Sequence, residues 1–329
     1  MRKSRGGRRP AAAPAAPAPA EAPAADPDAP PPAARRPKHP RNALNELDGD
    51  RWLYFTRSVL RTSYPREFGH DLRKRHGANK PPRLMQALVE FFTKAGGRVL
   101  DPFAGVGGTL IGASLADPPR RCTGIEIHPR WADIYSEVSA AHPGLAPQEM
   151  VVGDARALLA DAARFPDGAY DFVATDPPYN VHLERTMCDG KYDATHANRR
   201  TDYDMRSDDP GDLANLGTYE RYLGAMEEVF GLCRRVTRPG GYMAVIVRNA
   251  YQGGEYLFTH ADLARRAKAA GWTPKGEIVW YQTGSRLRPY GYPYGFVPNI
   301  AHQFVVIFQN PKGKPARRAA GGDGSATPP

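Results

Sequence analysis

Apolar positions along the chain follow two rhythms. Segments 84–95 (LMQALVEFFTKA), 109–116 (TLIGASLA), 130–141, 218–236 and 260–270 repeat them every three to four residues, the spacing of helices with one buried face. Short runs at 98–101 (RVLD), 122–127 (CTGIEI), 149–154 (EMVVGD), 170–176 (YDFVATD), 242–249 (YMAVIVRN), 277–282 (EIVWYQ) and 302–309 (HQFVVIFQ) have the length and content of buried strands. Repeated strand–helix units predict a doubly wound α/β fold, a mostly parallel sheet covered on both faces. Seven strands are expected. The last two have no crossover helix between them, so they should pair antiparallel.

The chain ends break this pattern. Residues 1–41 are Ala, Pro and Arg without apolar periodicity, and 311–329 (PKGKPARRAAGGDGSATPP) are similar. Neither stretch has the apolar surface to offset its ordering entropy. The expected organisation is a disordered tail over 1–41, a single domain over 42–310 and a second disordered tail over 311–329. Charge follows the same division. Of the net +10, residues 1–41 carry +6, residues 311–329 carry +3, and the stretch between them only +1. The basicity therefore does not mark a nucleic-acid face on the folded part, although basic tails add sequence-independent attraction to phosphates.

Composition excludes several classes. A hydrophobic content of 41% is too high for a wholly disordered chain. No apolar run approaches the ~18–20 residues of a membrane span, and an Ala/Pro run stands where a signal peptide would be apolar. Cys122, Cys188 and Cys233 lie far apart with no CxxC spacing, which argues against a disulfide framework or a zinc module. A cytoplasmic protein without a structural metal is the expectation.

In an open α/β sheet, ligands bind beyond the carboxyl ends of the strands. Four unusual clusters fall at such ends. The turn DPFAGVGGT (101–109) places Gly105 and Gly107 between a strand and a helix, where bare backbone can approach a ligand; a plain Gly-rich connection is the alternative. Glu126 ends the next strand and can accept bonds from the hydroxyls of a ribose, or simply open a loop. Asp154 can bond an adenine amino group or stabilise a turn. TDPPYN (175–180) is more specific. Asp176 and the Pro177 carbonyl can together accept both hydrogens of an exocyclic amine, since proline carries no N–H of its own. Pro178 stiffens the turn, and Tyr179 offers a flat face for a base.

DPFAGVGGT followed by TDPPYN resembles the S-adenosylmethionine-dependent amino-methyltransferases of DNA, which methylate adenine N6 or cytosine N4. Their FxGxG motif is matched by Phe103, Gly105 and Gly107, and their [DNS]PP[YFW] motif by Asp176, Pro177, Pro178 and Tyr179. HGANKPPRLMQALVEFF (76–92) is similar to the helix which that family places beside the methionine end of the cofactor, and points to Lys80. RPGGYMAVIV and HQFVVIFQ are similar to its fifth and last strands. The resemblance covers about 76–309. It implies the Rossmann-like class I methyltransferase fold, S-adenosyl-L-methionine as cofactor and DNA as partner, with a cognate restriction enzyme as a further candidate partner. It implies that Asp101, Phe103, Ala104, Gly105, Gly107 and Lys80 hold the methionine end, Glu126 the ribose and Asp154 the adenine. Asp176, Pro177, Pro178 and Tyr179 would be catalytic, acting on a base flipped out of the duplex.

No separate target-recognition domain is apparent. Site recognition would fall to a polar insertion (181–217), an Arg/Tyr/Gly/Pro loop (283–300) and a basic-aromatic stretch (51–75). Candidate substrate contacts are Asn180, Lys191, Arg199, Arg200, Arg286, Arg288 and Tyr290. The insertion is expected to be a loop that orders over the flipped base. Two rivals stand beside this reading. One is a tRNA guanine-N2 methyltransferase, which shares DPF-G-G-T and DPPY but usually has Gly after the Tyr, where this chain has Asn180. The other is a non-catalytic nucleic-acid-binding module, against which the intact Asp176–Tyr179 motif argues.

Overall fold

The computed structural model describes residues 37–62, 64–178, 209–283 and 287–312. Tyr179, Asn180, Lys191, Arg199, Arg200 and Arg286 lie outside the described residues, as do most of the two tails.

The strands are β1 (Val59–Thr62), β2 (Arg98–Asp101), β3 (Arg121–Glu126), β4 (Glu149–Val152), β5 (Tyr170–Thr175), β6 (Thr237–Val247), β7 (Ala250–Gln252), β8 (Glu255–Leu257), β9 (Thr273–Gln282) and β10 (His302–Gln309). The helices are α1 (Gly49–Phe55), α2 (His70–Arg73), α3 (Pro82–Phe92), α4 (Gly108–Leu115), α5 (Pro129–Ala141), α6 (Ala155–Ala160), α7 (Tyr219–Val236) and α8 (Thr259–Ala269). The main sheet runs β1-β9-β10-β6-β5-β2-β3-β4. Within it, only β10 is antiparallel, to both β6 and β9. The α/β architecture and the antiparallel last strand are as expected, but the described sheet has eight strands, not seven. The addition is β1, which pairs parallel to β9. Its VLRT sequence is too short and too polar to announce a strand. Among the described residues no helix is long and apolar enough to cross a membrane.

Strand alternation separates two cores. Phe172, Ala174, Ala244, Ile246, Trp280 and Val305 face α3, α4 and α5. Val173, Met243, Val245, Val247, Phe304 and Val306 face α6, α7 and α8. The same alternation, carried to the carboxyl edge, puts Asp176, Arg248, Gln303 and Gln282 on the α3 side in neighbouring strands. Phe304 pairs with Val247 and Gln303 with Trp280, which fixes that register.

The aromatic stretch near 51–75 is used for packing as well as surface. Phe55 stacks on Phe91 with ring centroids 4.1 Å apart, and Trp52 lies 5.1 Å from the same ring. Fully buried Asn45 ties this segment to α3: its Nδ2 donates to the Phe91 carbonyl (2.7 Å), and its Oδ1 accepts from the Leu47 amide (3.0 Å) and from Asn42 Nδ2 (2.8 Å). Asn45→Ala should therefore lower unfolding free energy by ~1–3 kcal/mol, the penalty of orphaning buried backbone groups. Urea denaturation checks this; an unchanged midpoint would mean that the segment is not part of the cooperative fold.

Candidate active site

β2 delivers Asp101 into the interior, 3% exposed. Its carboxylate accepts the Phe103 amide (3.0 Å) and the Thr109 hydroxyl, so one side chain ties together both ends of the Gly-rich turn. Burial pushes its pKa up to about 6 against these two bonds. Inside the turn, the Ala104 amide donates to the Ile125 carbonyl of β3 (2.8 Å). Gly105 and Gly107 have φ of +52° and +77°. A Cβ on Gly107 would lie 2.1 Å from the Tyr135 ring, and one on Gly105 3.4 Å from the His76 ring. Both glycines are thus required by backbone sign, and Gly107 also by close approach.

Glu126, at the end of β3, is 8% exposed. Its Oε2 accepts the Gly105 amide and its Oε1 the His128 amide, both at 2.8 Å. Burial raises its pKa to about 7. Each oxygen retains a lone pair, so the carboxylate can brace the turn and still accept a ligand hydroxyl. The bracing role is not readable from sequence, because nothing in the spacing of residues 105 and 126 encodes it.

Asp154 follows β4 and caps α6. It accepts the Arg156 amide (2.8 Å) and pairs with the Arg156 guanidinium (3.1 Å). The same guanidinium reaches the Gly211 carbonyl at 3.3 Å. This brings the end of the polar insertion against the strand ends, with Asp212 and Leu213 buried. Of the expected loop over 181–217, residues 209–217 hold one short 3-10 turn (Leu213–Asn215) seated by Leu213, while 181–208 lie outside the described residues.

Asp176 leaves β5 on the α3 side, followed by a buried Pro177 and a half-buried Pro178. Lys80 forms an ion pair with it; the two side chains are 9% and 13% exposed. Lys80 is placed by its backbone. Pro81 and Pro82 start α3, where a missing N–H costs nothing, and the buried Arg73 guanidinium donates to the Lys80 carbonyl at 2.7 Å. A Cβ on Gly108 would stand 3.0 Å from that carbonyl, so Lys80 lies directly against the start of α4. The residue that the resemblance puts at the methionine end thus also holds the catalytic candidate.

His76 was not among the sequence candidates, although it stands four residues before Lys80 in the HGANKPP segment. Its ring covers Gly105 and meets Trp131 edge-on at 4.9 Å. Burial, with Lys80 and Arg130 nearby, lowers its pKa to about 4, so it is neutral at physiological pH. Its Nδ1 is enclosed and has no hydrogen-bond partner among the described residues. An orphaned ring nitrogen over a turn that admits no side chain fits a polar ligand lying along that turn, as S-adenosylmethionine would. Of the remaining candidates, Arg288 is clamped by Asn299, whose amide bonds its backbone N–H (2.7 Å) and C=O (2.8 Å). Tyr290 lines a cleft beyond β6.

A family model described as DNA methylase matches residues 34–137 and 170–320. The tRNA (guanine(10)-N2)-dimethyltransferase of Pyrococcus abyssi is 34% identical over 107 residues, 32% of this chain and 30% of that protein. Its counterpart from Methanothermobacter thermautotrophicus is 37% identical over 101 residues, 30% and 27% of the two chains. The chain therefore spans less than a third of the length of these curated relatives. A protein from Thermus thermophilus, provisionally classed as a DNA modification methylase and solved with S-adenosyl-L-methionine, is 25% identical; the match covers 50% of this chain and 57% of that one at a TM-score of 0.33.

The raised pKa values of the buried acids offer a test of the ribose role that the resemblance implies for Glu126. With its pKa raised to about 7 from 4.5, Glu126 favours folding while protonated, and that contribution is lost as pH rises through about 7. If Glu126 takes the ribose, whose hydroxyls would donate to the ionised form, S-adenosylmethionine affinity should rise between pH 5 and 8 and then level off. Calorimetry should show proton release on binding, and Glu126→Gln should remove the component near 7 and leave any contribution of Asp101 near 6. The same dependence near pH 7 in the variant would refute the ribose role.

Proposed function

The chain belongs to the N6/N4 family of DNA methylases, and from that membership we propose that it transfers the methyl group of S-adenosylmethionine to the exocyclic amine of a flipped base in DNA, adenine N6 ahead of cytosine N4. That it is an S-adenosylmethionine-dependent methyltransferase follows from the family; the DNA substrate is our reading. The observation that carries it is the carboxylate of Asp176, bound by Lys80 at the mouth of the Gly-rich turn.

In this reading Asp176 and the Pro177 carbonyl accept the two amine hydrogens and turn the nitrogen lone pair toward the methyl carbon. Tyr179 stacks on the base. The N–C bond forms as the S–C bond breaks, the sulfur keeps the electron pair, and the surplus proton leaves the nitrogen through Asp176. Alignment of the two reactants supplies much of the acceleration, and the carboxylate stabilises the charge developing on nitrogen. Lys80 has two anionic partners in prospect, Asp176 and the methionine carboxylate, and links the two halves of the site. We propose that cofactor binding draws Lys80 toward the methionine carboxylate and leaves Asp176 to meet the amine.

A second reading is transfer to guanine N2 of tRNA, also an exocyclic amine. Its support is the likeness to the two curated relatives over about 100 residues. Asn180, where that group usually has Gly, weighs against it.

Incubation with labelled cofactor and either duplex DNA or tRNA, followed by nucleoside analysis, separates the readings. N6-methyladenine in DNA is expected; N2-methylguanosine in tRNA alone would replace the proposal. Asp176→Ala should slow transfer at least ~100-fold, the scale of removing a transition-state electrostatic partner, while S-adenosylmethionine binding is retained. Loss of binding together with turnover would contradict the division of labour.

A further inference from the structure

The carboxyl edge holds a second polar site that the methyl-transfer chemistry does not use. A cleft of about 90 Å³ opens beyond β6, with Arg248, Gln282, Tyr290, His302 and Gln303 in its wall. Strand alternation puts Arg248, Gln303 and Gln282 on the same side of the sheet as Asp176. Neighbouring strands are about 4.8 Å apart, and the register sets Gln303 two residues further along the strand direction than Asp176, so the two positions lie about 12 Å apart. A strand of DNA advances about 3.4 Å per nucleotide, so that span corresponds to about three to four nucleotides.

The chemistry of the cleft suits a base edge. Gln303 Oε1 is enclosed and has no hydrogen-bond partner among the described residues. A glutamine amide offers an acceptor and a donor in one plane, the pattern that matches adenine N6 and N7. Arg248, whose guanidinium donates to the Ile300 carbonyl, fixes one wall. The adjoining loop exposes Tyr292, Tyr294 and Phe296 by 80%, 94% and 86%. These three exposed aromatics offer faces on which unpaired bases stack. The loop base is pinned by the Asn299 bracket on Arg288, so the platform keeps its place beside the cleft.

We propose that this cleft reads an adenine on the target strand within four nucleotides of the methylated base, with Gln303 as the reading residue. It would supply site recognition from the carboxyl edge of the sheet itself. The inference rests on the DNA reading above.

The test uses the whole 329-residue chain on a duplex library with one target base and four randomised positions on each side, with product bases located by sequencing. The wild type should favour adenine at one flanking position by about five- to 150-fold, the discrimination of a good bidentate contact. Gln303→Ala should reduce that preference to near evenness. Gln303→Glu, which keeps acceptors and loses the donor, should move it toward cytosine, whose N4 donates. S-adenosylmethionine affinity and melting temperature should be unchanged in both variants, which separates lost reading from lost folding. No flanking preference in the wild type, or the same preference in both variants, would overturn the proposal while leaving methyl transfer intact. Absence of any DNA methylation by the wild type would instead overturn the DNA reading itself.

Discussion

The Lys80–Asp176 ion pair is the contact on which the rest of the site depends. A carboxylate 13% exposed at the end of a strand is unfavourable unless a cation or several donors accompany it. Lys80 meets that need from 96 residues away in sequence. Its position depends in turn on the Pro81–Pro82 start of α3 and on Arg73, whose guanidinium is itself buried and whose pKa burial lowers to about 10. Removing one member of such a pair leaves a charge stranded, which is why pairs of this kind are destabilising to break even where their net contribution is small. One contact thus sets the distance between the Gly-rich turn and Asp176.

The acids at the ends of β2 and β3 work differently. Backbone amides and the Thr109 hydroxyl, rather than a cation, satisfy Asp101 and Glu126 in part, and burial raises both pKa values. They hold the Gly-rich turn from two sides while keeping lone pairs for a ligand. The hydrogen-bonding capacity they leave unmet is what a ligand with hydroxyl and amino donors would complete.

Much of this is legible in the sequence. Strand ends and acids coincide because a parallel sheet sends all its carboxyl ends to one edge, so Asp101, Glu126, Asp154 and Asp176 are bound to gather once the strands are found. What the sequence does not display is either too short to show a period or dependent on contacts distant along the chain. β1 has four residues and α6 six. The bonds of Lys80 to Asp176 and of Gly105 to Glu126, and the closure of His76 over Gly105, leave no trace in local spacing. Trp52 and Phe55 read as surface aromatics but pack on Phe91, because a half-buried aromatic has the same sequence signature as an exposed one. Residues 209–217 read as loop, since a single buried Leu213 among polar neighbours carries no rhythm.

In the proposed mechanism the cofactor and Asp176 share Lys80. A double-mutant cycle on equilibrium S-adenosylmethionine binding tests it most directly, using wild type, Lys80→Met, Asp176→Asn and the double variant. If Lys80 serves both partners, Asp176→Asn should tighten cofactor binding by releasing the ammonium, Lys80→Met should weaken it, and the double variant should match Lys80→Met. The contradicting result is additivity: Asp176→Asn having the same effect on affinity whether or not Lys80 is present.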